Sequence, residues 1–258
     1  MKKRALWITL VLMQAILLLG CPPPPPPPEP LAGDKLILEQ LIARRHKMSP
    51  MEADVKFMFP PGEFLTATLE GHAAYRLDSD KARLRVAVVG PLGAISMDLL
   101  VEQGDFWVKL PGYTEALCQK DLCIIYGDSA LIRTPSILAR LPGLFFGGIP
   151  DDLGEDWTFE EDAEGKWILP PGKKDEKYLV RGNPAVIVKA ILSEEGIGTL
   201  NVDLDQVEDS LAGPLPTRII VRFEGRALFS LKLRDCTFGA PLPDGVFKMG
   251  GGNGPGAR

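Results

Sequence analysis

Along much of this chain apolar and polar residues alternate with a period of two. Leu65, Ala67 and Leu69 alternate with Thr66, Thr68 and Glu70, and Leu84, Val86 and Val88 alternate with Arg83 and Arg85. Met97, Leu99 and Val101 follow, then Phe106, Val108 and Leu110. The pattern returns at Leu200, Val202 and Leu204, at Ile219, Val221 and Phe223, and at Phe229, Leu231 and Leu233. Each run predicts a strand with one apolar and one wet face. Turn signals separate them, among them Pro60-Pro61-Gly62, Asp78-Ser79-Asp80, Gly90-Pro91, Glu194-Glu195-Gly196 and Glu224-Gly225. The spacing predicts about ten or eleven strands.

Two stretches have a different period. From Asp34 to about Lys47, Leu36, Ile37, Gln40, Leu41 and Arg44 sit at helical spacing, and Leu38 and Ile42 widen the apolar stripe. Gly33-Asp34 offers a start, and Ser49-Pro50 a stop. Ser129 to Leu141 also reads as helix, with Pro142-Gly143 as its stop. The expected fold is mainly β (α+β). A single curved antiparallel sheet forms a half-open barrel, with an N-terminal helix and a helical lid insert. So many neighbouring strands curl, and their apolar face must be covered. The two helices are the only cover the pattern offers, and a wide, incompletely closed barrel can leave a hollow.

The N-terminus carries another pattern. Lys2, Lys3 and Arg4 precede a run from Ala5 to Leu19 broken only by Thr9 and Gln14, the layout of a bacterial secretion signal. It ends in Leu18-Leu19-Gly20-Cys21, which resembles a lipobox. Residues 1–20 are thus expected to be removed and Cys21 to carry acyl chains that hold the protein on a membrane. Pro22 to Pro28 is unbroken proline, followed by Glu29-Pro30. Such a segment is a stiff spacer rather than part of a fold, and nine residues of it reach roughly 28 Å. Pro22 after the cysteine, rather than Asp, favours the outer membrane. The expected organisation is a signal peptide at 1–20, a lipidated cysteine and linker at 21–32, one domain at 33–249, and a disordered glycine-rich tail at 250–258. The expected location is the bacterial cell envelope, facing the periplasm.

Loss of Lys2, Lys3 and Arg4 takes the formal net charge of −5 to about −8. That acidity argues against nucleic acid as a partner and against broad attraction to anionic lipid. Little in the chain suggests chemistry. His46 and His72 read as surface residues, and no His, Cys or carboxylate cluster has metal spacing. Cys118 and Cys123 form a disulfide or remain two thiols, with the bridge favoured in an oxidising compartment. Cys236 is left over on the polar parity of its strand, so a bulge near Asp235 or partial exposure is expected. Asp203 and Asp205 share a solvated face. No catalytic residue, cofactor or metal is expected.

Several segments carry a family likeness. They are the helix beginning Leu36-Ile37-Leu38, the entry to the sheet at Glu52 to Phe57, and the stretch from Leu84 to Gly93. Gly104 to Pro111, Leu215 to Ile219, and Asp235 to Phe247 complete them. Together they resemble the LolA/LolB family of lipoprotein carriers and receptors, nearer to LolB because of the lipidation signal. The resemblance spans about residues 34 to 249. It implies a half-open barrel with a helical lid over an apolar cavity for lipoprotein acyl chains, and a periplasmic carrier protein as partner. It also implies an exposed apolar loop, for which Pro91-Leu92-Gly93 and Pro111-Gly112-Tyr113 are candidates. The cysteine pair and the proline spacer are departures from the family pattern.

The expected function is therefore binding of acyl chains of lipoproteins or other lipids, by a membrane-anchored protein without covalent chemistry. Expected cavity residues are Leu84, Val86, Val88, Met97, Leu99, Phe106 and Val108, with Ile137, Leu141, Phe145 and Phe146 on the lid. An inward apolar residue reads the same in a filled core. The alternative is a structural or assembly scaffold whose interior is packed and whose surface binds protein partners.

Overall fold

The alternation becomes one antiparallel sheet of 13 strands. The structure is a computed structural model and describes residues 33–60, 68–78, 81–89, 95–102, 104–110, 115–118, 137–173, 175–194 and 198–249. Helix α1 (Asp34–Lys47) comes first. The strands before the insert are β1 (Met51–Met58), β2 (Thr68–Asp78), β3 (Lys81–Val89), β4 (Ile95–Glu102), β5 (Asp105–Lys109) and β6 (Leu117–Cys118). Those after it are β7 (Thr158–Asp162), β8 (Gly165–Leu169), β9 (Glu176–Arg181), β10 (Val186–Glu194), β11 (Gly198–Ser210), β12 (Gly213–Phe223) and β13 (Arg226–Phe238). Helix α2 (Pro142–Gly147) lies in the insert, and a 3-10 turn (Asp244–Phe247) ends the described chain.

The strand order is β6-β5-β4-β3-β2-β1-β13-β12-β11-β10-β9-β8-β7. The chain enters at the middle of the sheet and meanders out to one edge at β6. It then crosses to the other edge at β7 and meanders back until β13 pairs with β1. The crossing segment therefore joins the two edges of an unclosed sheet. Its described part, 137–157, lies against the inner face. The sheet curls tightly enough for Val86 of β3 and Val180 of β9 to belong to one core cluster with Leu144, Phe145 and Phe146 of α2.

Helix α1 lies across one end of this trough. At its start Lys166 Nζ meets Asp34 Oδ1 at 2.6 Å. Further along, Gln40 Oε1 accepts from the Ala185 amide at 3.2 Å, and Arg44 Nη1 donates to the Ala185 carbonyl at 2.8 Å. The turns joining β7 to β8, β9 to β10 and β11 to β12 all fall at this end, as the pairs Asp162↔Gly165, Arg181↔Val186 and Ser210↔Gly213 show. The insert runs lengthwise, from Arg140 beside Glu176 at the start of β9 to Asp151 beside Tyr75 near the end of β2. On the outer face a smaller cluster joins Ala74 and Leu100 to Leu242, Phe247 and Met249 of the C-terminal segment. Arg76 and Arg83 fix that segment through Asp244, and Arg85 through the Val246 carbonyl.

The structure corrects the sequence expectation in three places. The described residues form 13 strands rather than ten or eleven. Those missed lack clean alternation. β9 buries Tyr178, Leu179 and Val180 in succession, and β8 buries both Trp167 and Ile168. Trp167 lies on the outer side of the sheet, beneath Lys177 and Lys189, whose ammonium groups sit 4.2 and 5.7 Å from its ring centre. Where side chains cover the outer face as well, period two disappears. Leu36 is 48% exposed and does not join the helix stripe, which is Ile37, Leu38, Leu41 and Arg44. Pro142 follows the end of the turn at 137–140, as expected, but it also opens a second helix. It occupies the first turn of α2, where its missing N–H costs nothing.

The expected bulge is present. Across β1 and β13 the pairing steps from Glu52↔Thr237 to Asp54↔Arg234, so Asp235 and Cys236 face one residue. Asp235 has φ of 50°, and Cys236 turns to pack against the inner cluster, half-buried. Burial, with Glu208, Asp235 and Asp54 nearby, pushes its thiol up to about 11. His46 is exposed, and His72 lies on the outer face between Glu52 and Asp54.

Candidate functional site

The inner face is built by strand parity. Residues of β3 alternate between buried and half-buried or exposed, with Leu84, Val86 and Val88 buried. The neighbouring strands repeat this in register: Leu84 opposes Val101, Val86 opposes Leu99, and Val88 opposes Met97. Leu99 and Val101 in turn oppose Val108 and Phe106. Side chains at paired positions share a face, so seven of the expected residues form a contiguous patch. Leu84, Val86, Val88, Leu99, Phe106 and Val108 are buried, and Met97 is half-buried against them.

The four expected lid residues lie opposite. Leu141, Phe145 and Phe146 are buried, and Ile137 is half-buried against the same cluster. Residues 137–140 form one helical turn, Leu141 breaks it, and α2 follows. Gly148 closes α2 with φ of 64°, the left-handed conformation that glycine adopts without a side-chain clash. Ring contacts join lid to sheet. Phe145 stacks on Phe229 with centroids 6.3 Å apart, and Trp157 tilts against Tyr178 at 5.4 Å.

Polar ties hold the lid at both ends, and sequence reasoning missed them. Asp151 accepts from the Tyr75 hydroxyl at 2.6 Å and from the Gly143 amide at 2.9 Å. Arg45 of α1 donates to the carbonyls of Asp151 and Leu153, each at 2.7 Å. Burial outweighs these bonds and holds the Asp151 carboxyl above its ordinary range. Burial, then the neighbouring Asp151 charge, raises the Tyr75 hydroxyl well above the usual tyrosine range. At the other end Arg140 pairs with Glu176, which also faces Lys173 at 3.2 Å. The signal available was the Gly147-Gly148-Ile149-Pro150-Asp151 run, which marks a turn but does not name Tyr75, 76 residues away, as its partner.

A second concavity, a groove of about 390 Å³, opens between the β11–β12 hairpin and the end of β13. Leu215, Leu233 and Phe238 form its floor, and Glu208, Asp209 and Asp235 stand on its rim. Leu211 at the hairpin tip is fully exposed.

Cys118 lies half-buried on β6, where it pairs across from Trp107. Cys21, Cys123 and both candidate membrane loops lie outside the described residues. Among the described residues no group of three or more His, Cys, Asp and Glu could hold a metal, and no helix is long and apolar enough to cross a membrane. What the arrangement can do physically is sequester apolar material, because its inner surface is hydrocarbon and its cover belongs to no strand.

No family model and no curated protein matches the sequence. Solved structures do. A DUF1329 family protein from Desulfovibrio piger is similar with a TM-score of 0.55 and 13% identity, covering 83% of this chain and 96% of that one. A LolA superfamily protein, NE2245 from Nitrosomonas europaea, is similar with a TM-score of 0.52 and 13% identity, covering 85% of this chain and 99% of that one. A domain described as an outer membrane lipoprotein-sorting protein, from Vibrio parahaemolyticus, gives 0.55 and 12%, covering 83% and 95%. These coverages take in nearly the whole of each relative, while the identities speak to fold alone. The likeness to LolA-type proteins read from the sequence therefore holds at the level of the fold, which this chain shares with LolA superfamily and lipoprotein-sorting structures.

Proposed function

We propose that this protein is a lipid-anchored protein of the bacterial envelope whose half-barrel takes up acyl chains of lipoproteins or of other lipids. The observation that carries the reading is topological. The apolar cover of the inner face is a crossing segment between two sheet edges, not a strand. It can part from the sheet without breaking a strand ladder, and nearly all that lid and trough present to whatever enters between them is apolar. Each methylene transferred from water to such a surface contributes ~0.8 kcal/mol, so a long chain supplies ample affinity. The contact residues would be Leu84, Val86, Val88, Met97, Leu99, Phe106 and Val108 of the trough, with Ile137, Leu141, Phe145 and Phe146 of the lid. The fold shared with lipoprotein-sorting structures supports the cargo class, and the signal ending in Cys21 supports the anchor. A periplasmic carrier protein as donor belongs to the same reading.

The test is native mass spectrometry of the purified domain without its anchor, combined with displacement of a fluorescent fatty-acid probe. Adducts of lipid mass and saturable probe binding are expected. An adduct-free protein that binds no probe after delipidation would instead indicate a packed interior and a scaffold role.

A further inference from the structure

The inner face is hydrocarbon almost throughout, and its polar exceptions are informative. Tyr75 is one, and its hydroxyl is satisfied by Asp151. Thr217 is another, bonded to the Gln206 carbonyl at 2.7 Å and to Glu208 at 2.9 Å. Tyr178 is an exception whose hydroxyl is not satisfied among the described residues. It is fully buried on β9, within the core cluster and beneath Trp157 of the lid segment, yet its hydroxyl has no hydrogen-bond partner among the described residues. Buried tyrosine hydroxyls ordinarily have one, because desolvating an unpaired O–H is unfavourable. A phenylalanine would fill the same volume without that cost, so the hydroxyl is unexplained by packing.

The surroundings define what would satisfy it. Burial, then the carboxylates of Glu176 and Asp152, pushes the hydroxyl well above the usual tyrosine range, so it remains a donor. Glu176 and Asp152 already engage Arg140 and Lys173, so these nearby cations are committed to carboxylates rather than to an anionic acceptor. The complement of a neutral donor in such an apolar site is a neutral carbonyl.

We infer that the Tyr178 hydroxyl is a specificity-determining contact that receives the carbonyl oxygen of an acyl ester or amide bound between lid and sheet. The inference rests on the lipid-binding reading above and narrows it to chains that carry a carbonyl. Hydrocarbon burial then supplies the affinity, and Tyr178 sets how far along the chain the head of the ligand stops.

The experiment compares 1-monooleoylglycerol with its ether analogue, oleyl glyceryl ether, which lacks the carbonyl. Each displaces a fluorescent apolar probe from wild type, Tyr178→Phe and Tyr75→Phe. Wild type should bind the ester about 3- to 10-fold tighter than the ether, the span of one net hydrogen bond. Tyr178→Phe should lose that preference by weakening the ester alone, and its melting temperature should stay level or rise. Tyr75→Phe should melt lower, because it removes one of the two donors to the buried Asp151 carboxyl. A preference that survives in Tyr178→Phe, equal weakening of both ligands, or a melt lowered as in Tyr75→Phe overturns the assignment and leaves lipid binding standing. Failure of wild type to bind either ligand overturns lipid binding and this assignment with it.

Discussion

Asp151 concentrates the chemistry of the lid in one side chain. Its carboxylate takes one donor from the sheet and one from α2, while its own carbonyl takes Arg45 of α1. The position of Gly143 allows this, because a Cβ there would collide with the Asp151 carboxylate and the Ile149 carbonyl. Burial raises the Asp151 pKa above the ordinary value of 3.8. The folded state therefore holds this proton more tightly than the unfolded chain does. The stability it contributes is complete below the ordinary aspartate range and is lost as pH rises through the raised value. Asp151→Asn removes that dependence. Urea midpoints of wild type and Asp151→Asn, measured across the acid range, should lie closest at low pH and separate as pH rises, with Asp151→Asn the more stable. A difference that is constant or narrows as pH rises would show that burial does not dominate at this carboxyl. Nothing in the sequence singled Asp151 out, because its role depends on a tyrosine and an arginine brought to it by the fold. The apolar residues of β3 to β5 were legible, since parity alone assigns an inward side.

At the scale of elements, the sequence spelled out α1 and the strands that have one wet face. It obscured strands covered on both sides, and it obscured α2, whose six residues are too few to show a period. The lid is where mutation tells most. Ala139 is buried in the core cluster beside Leu138. Ala139→Trp should abolish probe binding while leaving the melt unchanged, because a ligand space absorbs the added volume. In a filled core the same change costs ~1–3 kcal/mol, and the melt would drop by several degrees. The edge at β6 carries a second test. Cys118 and Cys123 are proposed to form a disulfide across the four intervening residues. The loop is short, so its stabilisation falls at the low end of ~2–4 kcal/mol. Non-reducing peptide mapping should recover the pair joined, with Cys236 alkylated only after unfolding. A bridge from Cys236 to either partner would refute the pairing. The bulge at Asp235 was legible because Cys236 broke an otherwise strict alternation.

For the whole molecule, the anchor and the domain make separate claims. Cys21→Ser should leave a precursor that keeps its signal. If that variant matures and fractionates with membranes as wild type does, the anchor reading fails. The half-barrel as a fold class was legible from strand number and the scarcity of helices, whereas the order of strands was not, since parity says nothing about which strand follows across a seam. That order bears on how the chain assembles. Every pairing but one joins strands adjacent in sequence, so each half of the sheet is a meander of local contacts, and the β1–β13 seam alone unites the chain's beginning with its end. Local meanders form quickly, and a seam between distant residues forms late. The seam also lies mid-sheet, far from the crossing. A protease cut between residues 119 and 136 would therefore sever the polypeptide while leaving intact all 12 strand pairings of the described residues. The two fragments should co-elute as one particle in size-exclusion chromatography and separate only in denaturant, so the protein is a natural candidate for splitting into two complementing pieces.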